Sequence, residues 1–360
     1  MSPTNSNLNQ TDVVAYLDAG ITLGRNLMYC ATFQIVWNQL VDEIIKSPIT
    51  LDGDPPSAKS LNKRLFEKEE IAEECYLAMA GFGRDDITEK IKRGLKEKFG
   101  RETRLDIKTG SPNDILSYAY LEKNLPFDTA FDVFDKPLSF NDGIQVQSFG
   151  IWKGDAAADQ VVVLDYDNPD DFIIKLQASP KIDKALVQGT LIQRQRITDE
   201  IILAKVKPAS TLLETLDSVF SRIGEEKFQK ALKGPRNAEN ILKMHLFSPR
   251  LDSNVPEILQ IPKIDFDVER HYTELEGKHL LNQGFENYWI AQAIQAVKFK
   301  LDETGAILSS EGFMDLHFGI AEEPRRFIFD KPFLFCLREK DVRYPYLALW
   351  INNSDLLVKA

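Results

Sequence analysis

Val297-Lys298-Phe299-Lys300-Leu301-Asp302-Glu303-Thr304-Gly305 is the stretch that decides how this chain reads. Val297, Phe299 and Leu301 alternate with Lys298 and Lys300, the period of a strand with one buried face. The reading places a strand over Ala293 to Leu301 and ends it at Asp302-Glu303-Thr304-Gly305. A long segment to Arg326 follows. Beyond it stand Phe329-Asp330-Lys331-Pro332-Phe333-Leu334-Phe335-Cys336-Leu337-Arg338 and, after a short turn, Tyr346-Leu347-Ala348-Leu349-Trp350-Ile351-Asn352-Asn353. These two apolar runs are continuous, so the strands are expected to be buried on both faces and to pair as a hairpin. Upstream, Ile261-Pro262-Lys263-Ile264-Asp265-Phe266 reads as a strand, and Glu274 to Leu281 as a helical stretch.

Working outward, the first half opens on a polar tail, residues 1–11. Thr11 or Asp12 caps an expected helix carrying Val13, Val14, Leu17 and Ile21. Phe33, Val36, Trp37, Leu40 and Ile44 recur at helical spacing, a buried helix ended near Pro48. Leu51 to Lys63, with Gly53, Pro55 and Pro56, reads as a loop. Asp85 and Asp86 precede Ile87, Ile91, Leu95 and Phe99, a helix stripe stopped by Gly100, with the charges of Glu89 to Lys98 as its solvated face. Strands are expected over Arg104–Ile107, Leu116–Leu121, Ile144–Trp152, Val161–Tyr166, Phe172–Leu176 and Glu200–Val206. Thr211 and Glu214 form a capping-box pattern before Leu212, Leu216, Val219 and Ile223. Lys230 to Asn240 is polar. No internal repeat and no low-complexity tract divides the chain.

The 360 residues carry 44 Lys plus Arg against 55 Asp plus Glu, a net charge of −11. A chain this acidic is a poor partner for nucleic acid, which requires phosphate neutralisation, and lacks the basic surface of a membrane binder. Hydrophobic residues make up 43%, a globular composition. Cys30, Cys75 and Cys336 are odd in number and far apart, against both a disulfide framework and a zinc site. No apolar run approaches the length of a membrane span. The N-terminus shows no secretory signal, so the expected location is cytoplasmic.

Catalytic signatures are missing. No G-x-S-x-G, H-E-x-x-H or Walker A pattern occurs. Gly81-Phe82-Gly83 reads as a turn between a strand and the Asp85 helix. His271 and His279 flank Glu274 and Glu276; surface histidines on a polar helix are favoured over a metal pair. Cys30 reads as a small buried residue on an apolar helix, with no base beside it. The expectation is no enzyme, no cofactor and no metal.

The ordered set in the last third resembles the serpin family. The set is the Pro262-Lys263 strand, a strand ending in Asp302-Glu303-Thr304-Gly305, a long loop, the Phe329 to Phe335 strand and a final hairpin strand. It covers roughly a quarter of the chain. Weaker similarity extends to Leu116–Leu121 with Pro126-Phe127, which looks like the central strand of that family's main sheet. Asn26–Cys30 looks like the start of its second N-terminal helix. Departures stand at Tyr29-Cys30-Ala31, Ser117, Leu125 and Gln295, where the family usually has Phe-Ser-Pro, Asn, Trp and His. The family also places a helix before the central strand, over the front of the main sheet; here only Lys108 to Asp114 is left for it, so that helix is missing or displaced.

The resemblance implies an α+β fold: a mixed multi-sheet domain over 12–360 with N-terminal helices, and 306–326 as the segment resembling a reactive-centre loop. It implies a protease inhibitor whose loop is cleaved and inserts as a strand, with Glu303, Gly305 and Ala306 as the hinge. Alternation after Gly305 puts Leu308, Ser310, Gly312, Met314 and Leu316 on the core face of the inserted strand. The same alternation fits a strand held permanently in a sheet. Two ways of counting the loop bracket the scissile bond among His317, Phe318 and Gly319. Phe318 as the specificity residue would suit a chymotrypsin-like or subtilisin-like protease. Ile307 and Leu308 are bulky where inhibitory members usually carry small residues. The alternative is therefore a non-inhibitory serpin-fold protein that binds another protein or a small ligand.

Overall fold

The computed structural model describes residues 8–102, 110–123, 125–152, 156–179, 181–187, 190–196, 199–223, 257–305 and 325–360. In chain order the strands are β1 (Thr11–Val14), β2 (Asn26–Cys30), β3 (Tyr76–Phe82), β4 (Asp114–Glu122), β5 (Asp132–Val133), β6 (Leu138–Ser139), β7 (Gln145–Val146), β8 (Ser148–Trp152), β9 (Val161–Asn168) and β10 (Asp171–Leu176). They continue as β11 (Lys181–Val187), β12 (Thr190–Arg196), β13 (Asp199–Lys205), β14 (Ile258–Pro262), β15 (Ile264–His271), β16 (Trp289–Leu301), β17 (Arg326–Ile328), β18 (Phe333–Glu339) and β19 (Leu347–Ile351). The helices are α1 (Thr32–Gln39), α2 (Pro56–Leu61), α3 (Ile87–Phe99) and α4 (Leu212–Ile223). The fold is α+β.

Three larger sheets frame the fold. A seven-stranded sheet runs β1-β2-β19-β18-β13-β10-β9. One four-stranded sheet runs β15-β16-β4-β3, and a second runs β17-β14-β8-β5. β18 and β19 sit in the middle of the large sheet as an antiparallel pair, Phe333 opposite Ile351 and Leu337 opposite Leu347. Phe333 to Leu337 and all of β19 are buried, as the unbroken apolar runs require. A single apolar cluster joins this sheet to β4, β15 and β16 through Leu121, Phe266, Val297, Phe299 and Phe335.

Local chemistry explains where elements fall. α3 buries Ile87, Ile91 and Leu95 and ends at Gly100, whose φ of 63° is the left-handed conformation that suits glycine. α4 carries the expected capping box: Glu214 N–H donates to Thr211 Oγ1, and Thr211 N–H to Glu214 Oε2, both at 3.2 Å. α1 runs on into a π-helical turn over Leu40–Ile45, closed by Lys46 in a left-handed conformation just before Pro48.

Five expectations are corrected. Thr11–Val14 is a strand, not a helix: its threonine and two valines are β-branched, and β2 offers a parallel edge. Asn26–Cys30 is likewise a strand, with Leu27 opposite Trp350 of β19, and the helix begins only at Thr32. Cys30 is buried as expected, but on that strand. The Leu51–Lys63 loop contains α2, started by proline in its first turn. Glu274–Leu281 is not helical. Gly277 takes a positive φ, and its N–H donates to Ile290 O while Ile290 N–H donates to Lys278 O, so the segment folds back along the start of β16. The Arg104–Ile107 strand and Lys230–Asn240 lie outside the described residues.

β8 and β14 approach so closely that a Cβ on Gly150 would sit 1.9 Å from Leu259 O. Gly150→Ala should therefore lower stability by about 2–4 kcal/mol, since backbone rather than a side chain has to give way. Urea unfolding of the two proteins measures it.

Candidate functional site

β4 and β16 are remote in sequence yet lie side by side and parallel, from Asp114 opposite Trp289 to Glu122 opposite Lys298. β3 flanks β4 and β15 flanks β16, both antiparallel. Over that length both edges of β16 are occupied. Among the described residues, no strand pairs with Phe299–Leu301 on the β4 side. The chain after β4 crosses there instead: Phe127 N–H donates to Thr304 O at 3.1 Å and Phe131 N–H to Glu303 O at 2.8 Å.

The two faces of this seam are built differently. On the back, Ala78, Ala80, Ala119 and Ala293 make a floor of small residues on which Phe33 and Trp37 of α1 pack. Ser117, opposite Ala293 and Ala80, is buried in the same row, and its hydroxyl has no hydrogen-bond partner. Gln295 anchors β16 here. Its Nε2 donates to Cys30 O at 3.0 Å and to Thr32 Oγ1 at 2.9 Å, and its Oε1 accepts from Tyr272 Oη at 2.5 Å. Cys30 Sγ lies 3.3 Å from Thr32 Oγ1. Burial pushes the Cys30 thiol up to about 11 and holds the Tyr272 phenol well above its usual range. The network is thus neutral at ordinary pH.

On the front, Ile87, Ile91 and Leu95 of α3 cover Leu77 of β3, Leu116, Tyr118 and Tyr120 of β4, and Ile294 and Ala296 of β16. α3 therefore lies over β3 and β4, on the β4 side of the seam. Residues 110–113 form only a turn before β4, so within the described residues the face is covered by the helix that follows β3.

β16 ends in a tight turn. Asp302 Oδ1 accepts from Thr304 N–H at 3.0 Å and Thr304 Oγ1 at 2.6 Å, and Asp302 Oδ2 meets Lys300 Nζ at 2.6 Å. Burial raises the Asp302 carboxyl, but these hydrogen bonds outweigh it and leave it below its usual range. Glu303 Oε2 pairs with Lys263 Nζ, between β14 and β15, at 2.5 Å. Gly305 has a φ of 78°, and a Cβ there would lie 2.5 Å from Leu125 O and 2.6 Å from Phe127 N. Only glycine allows the turn to sit against that crossing segment.

Of the residues singled out from sequence, Glu303 and Gly305 stand together in this turn. Ala306, Leu308, Ser310, Gly312, Met314, Leu316, His317, Phe318 and Gly319 lie outside the described residues. Gln295, Ser117 and Tyr29-Cys30 gather behind the seam, and Leu125 lies over its end. Sequence reasoning missed Thr32 and Tyr272 as partners of Gln295, and Lys263 as the partner of Glu303. The one available signal was a glutamine on the buried face of a strand. His271 and His279 are on no helix. His271 Nδ1 lies 3.0 Å from Glu276 Oε1, and the His279 ring lies 5.8 Å from that of Trp289. Among the described residues no cluster of His, Cys, Asp and Glu could hold a metal ion, and no helix is long and apolar enough to cross a membrane.

No protein-family model and no curated protein matches this chain. Solved structures similar to it include a serine protease inhibitor, Serpin-12, of Manduca sexta, at 13% identity and a TM-score of 0.47, covering 92% of this chain and 94% of that one. Serpin48 of the insect Tenebrio molitor matches at 12% identity and a TM-score of 0.45, over 91% of this chain and 92% of its own. Human thyroxine-binding globulin complexed with thyroxine matches at 11% and a TM-score of 0.46, over the same shares.

Two outcomes test this geometry. Gln295→Leu strands the Tyr272 hydroxyl and leaves Thr32 and the Cys30 carbonyl each short of a donor, so it should cost about 2–4 kcal/mol in a denaturant melt. Because the Asp302 carboxyl is lowered on folding, its contribution is present above the ordinary aspartate value of about 3.9 and lost as pH falls through the lower folded value. Asp302→Asn should flatten that part of the acid stability profile, as read by thermal melts from pH 2 to pH 6.

Proposed function

We propose that this chain is a serpin-like protease inhibitor, one domain over 12–360, in which cleavage among His317, Phe318 and Gly319 lets the segment that follows Gly305 enter between β4 and β16. The observation that carries the reading is the parallel β4–β16 pair running into the Gly305 turn. A strand that turns back from the end of β16 runs antiparallel to β16. Because β4 is parallel to β16, the same strand is antiparallel to β4 as well. Insertion would replace one parallel interface with two antiparallel ones, each slightly more stable per residue. Strand addition of this kind is a recurring mode of peptide capture.

The sequence after Gly305 is suited to it. The set Ala306, Leu308, Ser310, Gly312, Met314, Leu316 and Phe318 carries no charge. Burying Leu308, Met314, Leu316 and Phe318 at ~1.5–3 kcal/mol each gives roughly 6–12 kcal/mol. Added ladder hydrogen bonds contribute ~0.5–1.5 kcal/mol each. Against this stand the broken β4–β16 ladder and the displacement of α3. In this reading Glu303, Gly305 and Ala306 form the hinge. The scissile bond lies among His317, Phe318 and Gly319, with Phe318 presented to a chymotrypsin-like or subtilisin-like protease. The chain supplies no catalytic residue and needs no cofactor; its chemistry is the protease's own acyl-enzyme, stranded when the loop inserts.

A second reading is favoured by Ile307 and Leu308, bulky residues where insertion must outrun hydrolysis. If insertion is slow, the protease completes its turnover and the fold serves to bind a protein or small ligand instead. Incubation with a panel of serine and cysteine proteases separates the two. A denaturant-resistant complex and a cut within 317–320, read by mass spectrometry, support inhibition. Clean cleavage with no complex supports the second reading. Nicking should also raise the thermal midpoint of the chain, and an unchanged midpoint would count against a strand being added.

A further inference from the structure

Lys123 follows β4 directly and is buried with Asp199, at the start of β13; both side chains are 2% exposed, and Nζ lies 2.6 Å from Oδ1. Tyr346 Oη donates to the same Asp199 oxygen at 3.0 Å, and Lys123 Nζ lies 5.0 Å above the Tyr346 ring. Glu339 Oε1, at the end of β18, is 3.8 Å from Lys123 Nζ and accepts from Ala72 N–H at 2.6 Å. The end of β4 is thereby tied to two strands of the seven-stranded sheet, β13 and β18, and to Tyr346 just before β19. The middle of β16 is tied separately, through Gln295, to Cys30 and Thr32. The two strands of the seam are thus pinned at different points, β4 to β13 and β18 and β16 to β2 of that same sheet and to α1.

We propose that the Lys123–Asp199 pair is an electrostatic latch that holds the Glu122 end of the seam shut. Parting β4 from β16 to admit a strand takes a lateral shift of about 4.8 Å at β4. At the Asp114 end such a shift separates apolar contacts and backbone bonds. At the Glu122 end it also draws an ammonium from its carboxylate in a dry site, where an unpaired charge is most costly. Unaided, the closed seam therefore parts most readily at the end far from the Gly305 turn, and the latch resists parting at the near end, where a strand tethered at Gly305 has to enter. The latch stands on geometry alone; its consequence for inhibition rests on the insertion reading above.

Native-state hydrogen exchange on the intact protein tests the order of opening. Amides of Ile115–Ser117 should exchange about tenfold faster than those of Tyr120–Glu122. In Lys123→Met/Asp199→Asn, which removes both charges and leaves Tyr346 an oxygen to donate to, the slow end should speed up about tenfold while β18 and β19 stay as protected as before. No gradient in the parent, or an unchanged slow end in the folded double variant, overturns the latch; if the double variant does not fold, the parent's gradient alone decides. A synthetic peptide of residues 306–318 should then bind the double variant faster than the parent. If exchange behaves as expected and the peptide binds neither protein, the latch stands and the insertion reading fails.

Discussion

The parallel pairing of β4 with β16 is the constraint on which the rest depends. Parallel strands cannot be joined by a hairpin; they need a crossover. Here the crossover is everything between Glu122 and Trp289, which includes β9, β10 and β13 of the large sheet and β8 and β14 of the second four-stranded sheet. A pair closed by so long a connection has no local reason to form. It is held by its own ladder and by what packs on it, α1 behind both strands and α3 in front of β4. A seam held by packing rather than by its own turn is one that can part without unravelling the strands on either side.

The back of the seam shows how a buried polar network serves such a site. Gln295 uses its amide as a donor toward β2 and α1 and its carbonyl as an acceptor from Tyr272. Every group in it is neutral, so the network fixes position without carrying a charge that would change over the physiological range. The small residues around it let α1 sit close, and Ser117 is left with an unpartnered hydroxyl at the centre of the row. A strand entering between Ser117 and Ala293 would bring backbone groups to that point.

Legibility followed the period of the sequence. Strong alternation over Val297–Leu301 and the unbroken runs of β18 and β19 gave their strands and burial directly. So did the spacing of Ile87, Ile91 and Leu95, and the Thr211–Glu214 box. The misread elements are those settled by a neighbour. Asn26–Cys30 is a strand because it pairs with β19 from the far end of the chain, and Thr11–Val14 because it adds the edge beside it. Glu274–Leu281 looks helical in composition, but its backbone pairs with β16 around Gly277. The Glu303–Lys263, Gln295–Tyr272 and Lys123–Asp199 partnerships join segments that no local pattern connects. Only the residue types, a glutamine and a lysine beside buried strands, hinted that partners were needed.

The geometry at the end of β16 bears on how insertion would begin. Phe299–Leu301 extend past the last β4 pair, but the chain after β4 crosses at Glu303 and Thr304, so on the insertion reading a strand turning back at Gly305 would first displace that crossing. Its first residues could pair there without breaking the ladder. The next step meets Lys298 and Glu122, the last pair of the seam, beside Lys123. On that reading nucleation would be local, needing little loop closure, while propagation would run against the Lys123–Asp199 pair. Ile307 and Leu308 would fall in that nucleating stretch, before the β4–β16 ladder itself has to part. In this arrangement the small-residue requirement moves further along the loop, to Ser309, Ser310 and Gly312, which would reach the seam as its first closed pairs give way. On the insertion reading, a loop bulky at its start and small beyond would suit a seam whose ladder stops short of the turn and is latched just inside.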